Sequence, residues 1–142
     1  MKKLILGMFA VSALLACNQP AKTTDQGAAT TTTANAANAP VMKFEFDSHD
    51  FGKIKQGDKV TYEFKFTNTG KSPLIITNAI ATCGCTTPEW PHAPLQPGEG
   101  GNIKVTFNSA GKSGLQDKLI TITANTNPAQ SMVHLIGEVL TK

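Results

Sequence analysis

Arginine is missing from the 142 residues: all thirteen basic side chains are lysine, set against ten acids for a formal net charge of +3. No concentrated basic field of the kind that holds nucleic acid arises from so small a surplus, and nucleic acid is excluded as an expected partner. Long apolar runs are missing as well. The longest, Leu4 to Ala16, falls short of the roughly 20 residues a helix needs to cross a bilayer, which argues against a permanent transmembrane helix. The length allows one domain of ordinary size and rules out a large multidomain enzyme. Catalytic signatures are absent too: there is no Gly-rich phosphate loop, no His-Glu-x-x-His helix and no serine elbow. Asp47 and Asp50 read as solvated acids near strand ends and His134 as an outward strand histidine, so no nucleophile–base pair stands out and a non-enzymatic protein is expected. Cysteine is scarce and odd in number, three in all, and the odd one needs an assignment.

Lys2 and Lys3 ahead of the apolar run Leu4–Ala16 match the charged and hydrophobic regions of a secretory signal peptide. The run ends in Leu14-Leu15-Ala16-Cys17, which resembles the lipobox of bacterial lipoproteins. That resemblance implies cleavage after Ala16 and acyl chains on the new N-terminal Cys17, palmitate among them. Two or more buried chains, each methylene worth about 0.8 kcal/mol, make a stable membrane anchor. The expected address is therefore the cell envelope, lipid-anchored and periplasm-facing. Asn18 is not the aspartate that retains some lipoproteins at the inner membrane, which favours the outer membrane by analogy.

Residues 18–40 hold seven Ala and six Thr and no Leu, Ile, Val, Phe or Met. Such a tract buries too little apolar surface to offset about 1–2 kcal/mol of backbone entropy per residue, so a disordered linker is expected over residues 17–40, behind a signal segment at 1–16. As a flexible coil it reaches on the order of 25–30 Å. Its threonines also admit an O-glycosylated stalk.

From Val41 onward the pattern turns to period two. Val60, Tyr62, Phe64 and Phe66 share one strand face; Met42-Phe44-Phe46 and Ile103-Val105-Phe107 repeat the alternation, Leu74–Ile76 and Leu119–Ile122 read as buried segments, and Met132–Leu140 as a last strand. Turn chemistry at Lys55–Asp58, Asn68–Lys71, Gln96–Glu99, Ala110–Gly114 and Asn125–Pro128 separates them. About seven short strands with regular turns predict an all-β domain over 41–142, an immunoglobulin-like antiparallel β-sandwich. Lys65 and Lys104 fall on the solvated faces.

The least strand-like stretch is Ala81–Pro94, with Cys83, Cys85, the single Trp90, His92 and three of the eight prolines. It is expected to be a stiff exposed loop, where a rigid sandwich places its function. Thr82-Cys83-Gly84-Cys85-Thr86, followed by Pro88 and Pro97-Gly98-Glu99, resembles the signature of the bacterial exported family known as domain of unknown function 1573. Asp50-Phe51-Gly52-Lys53-Ile54 and Phe64–Gly70 upstream, with Gly114, Ile120, Ile122, Asn125 and Gly137-Glu138-Val139 downstream, extend the likeness over nearly all of the folded part. The resemblance implies an immunoglobulin-like sandwich and an envelope protein of Bacteroidetes-like bacteria; it brings no activity.

Three readings of Cys83 and Cys85 stay open. They form a disulfide, which Gly84 eases by permitting a tighter turn. They are thiolates that with His92 or His49 ligate Cu or Zn. Or they are reduced cysteines that shape the loop. Trp90 and His92 are candidate binding-surface residues, with Trp90 equally suited to covering the sandwich edge. No cofactor is otherwise implied. Together these features point to a lipid-anchored binding or scaffolding module with an envelope protein as partner. The alternative is a thiol-redox or metal-handling protein built on the Cys-Gly-Cys pair.

Overall fold

The computed structural model describes residues 38–141; Cys17, the signal segment and most of the linker lie outside the described residues. Eight strands follow one another without a helix of regular length: β1 Met42–Phe44, β2 Ser48–Lys55, β3 Lys59–Asn68, β4 Ile76–Ala81, β5 Thr86–Glu89, β6 Gly100–Asn108, β7 Gly114–Ala124 and β8 Gln130–Leu140. They form two four-stranded sheets, ordered β1-β3-β6-β5 and β2-β8-β7-β4. This is the expected all-β, immunoglobulin-like sandwich, and its core follows from the alternation. Phe64, Phe66, Ile103, Val105 and Phe107 enter from the first sheet; Ile120, Ile122, Val133, Leu135 and Val139 enter from the second, each buried. Fully burying side chains of this size stabilises by about 1.5–3 kcal/mol apiece. The opposite face of β3 and β6 carries a polar ladder, with Thr61 hydrogen-bonded to Thr106 at 3.2 Å and the Asn102 amide donating to Glu63 at 2.8 Å.

Three details differ from the expected pattern. The second sheet is not wholly antiparallel, because β2 pairs with β8 in parallel and shifts register between Asp50 and Lys53. A bulge there, with Gly52 at φ 73° and its N–H donating to Asp50 Oδ1 at 2.7 Å, breaks period two and spaces the half-buried Phe51 and Ile54 three apart. Phe46 does not continue the packed face of β1; it is 66% exposed, at the point where the chain passes from one sheet to the other. The stretch expected as a loop contains β5, an edge strand that pairs Thr86–Glu89 with Phe107–Lys104. Pro88 is compatible with this because an edge strand needs donors on one side only.

The register sorts the turns to two ends. At one end lie the chain's entry at residues 38–41, the turns after β3 and before β6, and the β7–β8 connection; at the other lie the β2–β3 turn, the β4–β5 crossover and the β6–β7 turn. Asn68 organises the entry end. It is fully buried, its Oδ1 accepts from the N–H groups of Val41 (3.3 Å) and Gly70 (3.0 Å), and its amide donates to the carbonyls of Ser72 (2.9 Å) and Leu95 (3.0 Å). Four hydrogen bonds from one side chain satisfy its full capacity and fasten three separate segments.

Candidate functional site

Strand β4 belongs to one sheet and β5 to the other, so the four residues between them must carry the chain around the edge of the sandwich. Thr82 N–H donates to the Leu119 carbonyl at 3.1 Å, Thr86 N–H to the Cys83 carbonyl at 3.2 Å, and Asn108 N–H to the Cys85 carbonyl at 2.9 Å. The turn is thus held to both sheets by its backbone. Within it Cys83 and Cys85 are joined in a disulfide, with a Cα separation of 5.3 Å.

Thr86, the first residue of β5, is buried at 5% exposure and directs its hydroxyl at the sulfurs: Oγ1 lies 3.6 Å from Cys83 Sγ and 3.9 Å from Cys85 Sγ. Beside the bridge opens a cleft of about 290 Å³, lined by Lys59, Gly84, Cys85, Thr87, Thr106 and Asn108, with Ala110 at its side. A lysine, two threonines and an asparagine thus share the cleft with Cys85. Cys83 and Cys85 are both half-buried, Cys85 packing in part against the core, while Gly84 between them is exposed.

Strand β5 then carries the chain away from the sulfurs. At about 3.3 Å per extended residue, Trp90 lies roughly 15 Å further along. Trp90 is half-buried and packs against the core, where its indole N–H is enclosed without a partner among the described residues. His92 is exposed and meets the Trp90 ring edge-on at a centroid distance of 5.2 Å. His49 stacks on Tyr62 at 3.5 Å in β2, the strand at the opposite edge of its sheet from β4. Neither histidine is brought to the cysteine pair. Among the described residues no group of three His, Cys, Asp or Glu side chains is placed to hold a metal ion. His134 pairs through Nδ1 with Asp117 at 2.9 Å across β7 and β8.

A second hollow, of about 380 Å³, lies by the short β1 and is lined by Glu45, Phe46, Tyr62, Glu63 and Lys65. The motif contained Thr86 directly after Cys85, but nothing in the linear sequence shows that its hydroxyl is buried against both sulfurs. Lys59 and Asn108 carry no motif at all; they reach the cleft only because β3 and β6 pair Lys59 with Asn108.

The family model for proteins of unknown function designated DUF1573 matches residues 42–139. The chain belongs to the DUF1573 family. No curated protein matches it. Among solved structures it is similar to a protein of unknown function from Porphyromonas gingivalis W83, at 16% identity and a TM-score of 0.65 over 77% of this chain. The match takes in 51% of the Porphyromonas chain, so this DUF1573 chain corresponds to about half of that protein. The seventh PapD-like (ASH) domain of human CEP192 matches at 12% identity and a TM-score of 0.55, covering 96% of this chain and 99% of the domain. The secreted serine protease VesC of Vibrio cholerae matches at 13% identity and a TM-score of 0.53, over 72% of this chain but 23% of the protease. At such identities the likeness is one of fold.

Proposed function

We propose that this DUF1573 protein is a lipid-anchored, periplasm-facing module of the cell envelope that binds or scaffolds a partner protein and catalyses no reaction of its own. The observation that carries the anchor is Leu14-Leu15-Ala16-Cys17 directly after a short apolar run headed by Lys2 and Lys3. Cys17 is the acylated residue, residues 17–40 are the tether, and the outer membrane is the favoured leaflet pair. The β5 edge with its flanks supports the binding role: exposed Gly84 between the half-buried Cys83 and Cys85 at one end, and exposed His92 against the half-buried Trp90 ring at the other, mark a sandwich edge open to a partner.

Intact mass spectrometry of the protein purified from its native envelope tests the anchor. The expected species lacks residues 1–16 and carries acyl chains on Cys17. Cys17→Ala should move the protein from the membrane fraction to the soluble fraction. A Cys17→Ala protein that stays membrane-bound refutes the anchor, and a partner lost on chelation but not on His92→Ala refutes the metal-free binding surface.

A further inference from the structure

The edge crossover holds a disulfide that its surroundings do not need. Every backbone hydrogen bond of the turn, from Thr82 to Leu119, from Thr86 to Cys83 and from Asn108 to Cys85, runs independently of the sulfurs. On either side the ladders Ala81–Ile120 and Thr86–Phe107 tie the chain to β7 and β6. The bridge closes a loop with a sequence separation of two, the smallest constraint on an unfolded chain that a non-adjacent pair can impose. Stabilisation by a disulfide grows with the loop it closes, so this one adds little to the fold and is comparatively easy to reduce.

The side-chain setting adds direction. Cys85, not Cys83, lines the cleft that Lys59, Thr87, Thr106 and Asn108 open to solvent. The buried Thr86 hydroxyl is nearer Cys83 Sγ, at 3.6 Å, than Cys85 Sγ, at 3.9 Å. The cleft beside Cys85 carries the cationic residue Lys59, which favours the approach of an anionic nucleophile, and the sulfur released by its attack at Cys85 has the Thr86 hydroxyl within 3.6 Å. A hydrogen bond to the departing thiolate lowers its basicity and speeds its departure.

We propose that Cys83–Cys85 is a reversible thiol–disulfide couple that exchanges with small or protein thiols through attack at Cys85, Cys83 leaving as a thiolate held by Thr86. In the first step a thiolate RS⁻ forms a bond to Cys85 Sγ as the Cys83–Cys85 bond breaks, giving a mixed disulfide and the Cys83 thiolate, which takes up a proton. In the second, another RS⁻ attacks the R sulfur of the mixed disulfide and releases the Cys85 thiolate. In sum, two RSH are oxidised to RSSR while the disulfide is reduced to two thiols, and the reverse sequence oxidises the pair. This goes beyond the anchored-module reading and does not depend on the anchor, because it rests on the geometry of the crossover alone.

The test uses the mature protein with glutathione as the thiol. The oxidised protein is incubated with reduced glutathione without denaturant, quenched in acid, alkylated and weighed, with far-UV circular dichroism recorded in parallel. The expected result is full conversion to the two-thiol form with an unchanged spectrum, passing through an adduct that fragmentation places on Cys85. Thr86→Val should slow the first step about tenfold, the rate equivalent of one charge-assisted hydrogen bond, and Thr86→Ser, which keeps the hydroxyl, should restore it. If Thr86→Val fails to fold, Thr86→Ser and the site of the adduct still decide. Reduction that proceeds only in denaturant, an adduct on Cys83, or a Thr86→Val rate equal to the parent's would each overturn the proposal.

Discussion

Replacing Asn68 by alanine removes four hydrogen bonds and leaves their partners where they were. The Leu95 carbonyl keeps the Leu74 N–H at 2.8 Å, and Val41, at an exposed position, can turn to water. Gly70 N–H and the Ser72 carbonyl lose the hydrogen bonds that the Asn68 side chain supplies, at half-buried positions. Each such orphan costs about 1–3 kcal/mol, and access of some water to the site brings the sum to roughly 3 kcal/mol. For a domain of about 100 residues that lowers the melting temperature by on the order of 12–20 °C. Asn68→Asp sharpens the test, since one carboxylate oxygen keeps the two N–H donors while the other is forced against the Ser72 and Leu95 carbonyls. Those carbonyls and the burial favour the protonated acid, so its folded pKa lies above its unfolded value of about 3.9. The folded state then binds more protons in the window above that value, and stability falls as pH rises through it. Thermal and urea unfolding should therefore show Asn68→Asp closer to the parent at about pH 4 than at about pH 7. A loss below about 1 kcal/mol for Asn68→Ala, or a pH-independent deficit for Asn68→Asp, would refute the account of Asn68 as a fully used buried fastener.

Gly137→Ala places a methyl group against the Phe51 ring, whose atoms lie within 2.6 Å of where a Cβ would stand. The expected cost is about 1–3 kcal/mol, and combining it with Phe51→Ala should be markedly less than additive in a double-mutant cycle read by urea unfolding. Ser109 is buried with its hydroxyl accepting from Gly57 N–H at 3.0 Å and placed to donate to the Lys55 or Asp58 carbonyl, at 3.0 and 2.8 Å. Ser109→Ala should cost roughly 1–3 kcal/mol in the denaturant midpoint without altering the slope, because it strips one turn of its partner and leaves the strands intact.

The strands that alternate cleanly are those that can be read from residue order. Val60–Thr67 shows its face because each side chain points where period two puts it, and that strand lies at the centre of β3. The β2 strand hides because the bulge at Gly52 places Phe51 and Ile54 at a spacing that neither a strand nor a helix template expects. Strand β5 hides for a different reason. Pro88 forbids a donor, and only the topology shows that this donor would have faced outward at a sheet edge. Asn68 reads as the opening of an ordinary Asn-Thr-Gly turn, and its burial comes from chain segments far off in sequence that close over it. The same holds at the cysteines. Their spacing allowed three chemistries, and Lys59 and Asn108 join them only once β3, β6 and β5 have paired within one sheet.

The two ends of the sandwich also have a mechanical meaning. The chain enters β1 beside Asn68, and β1 runs antiparallel to β3 toward the end that carries the Cys83–Cys85 crossover. A domain held by its entry and gripped at the crossover would be pulled along its strands. The hydrogen bonds between β1 and β3 lie across that direction, so they would bear the load together in shear instead of opening one after another like a zip. A three-residue strand, backed by the Asn68 contacts to Val41 and Gly70, would then serve as the domain's strain relief.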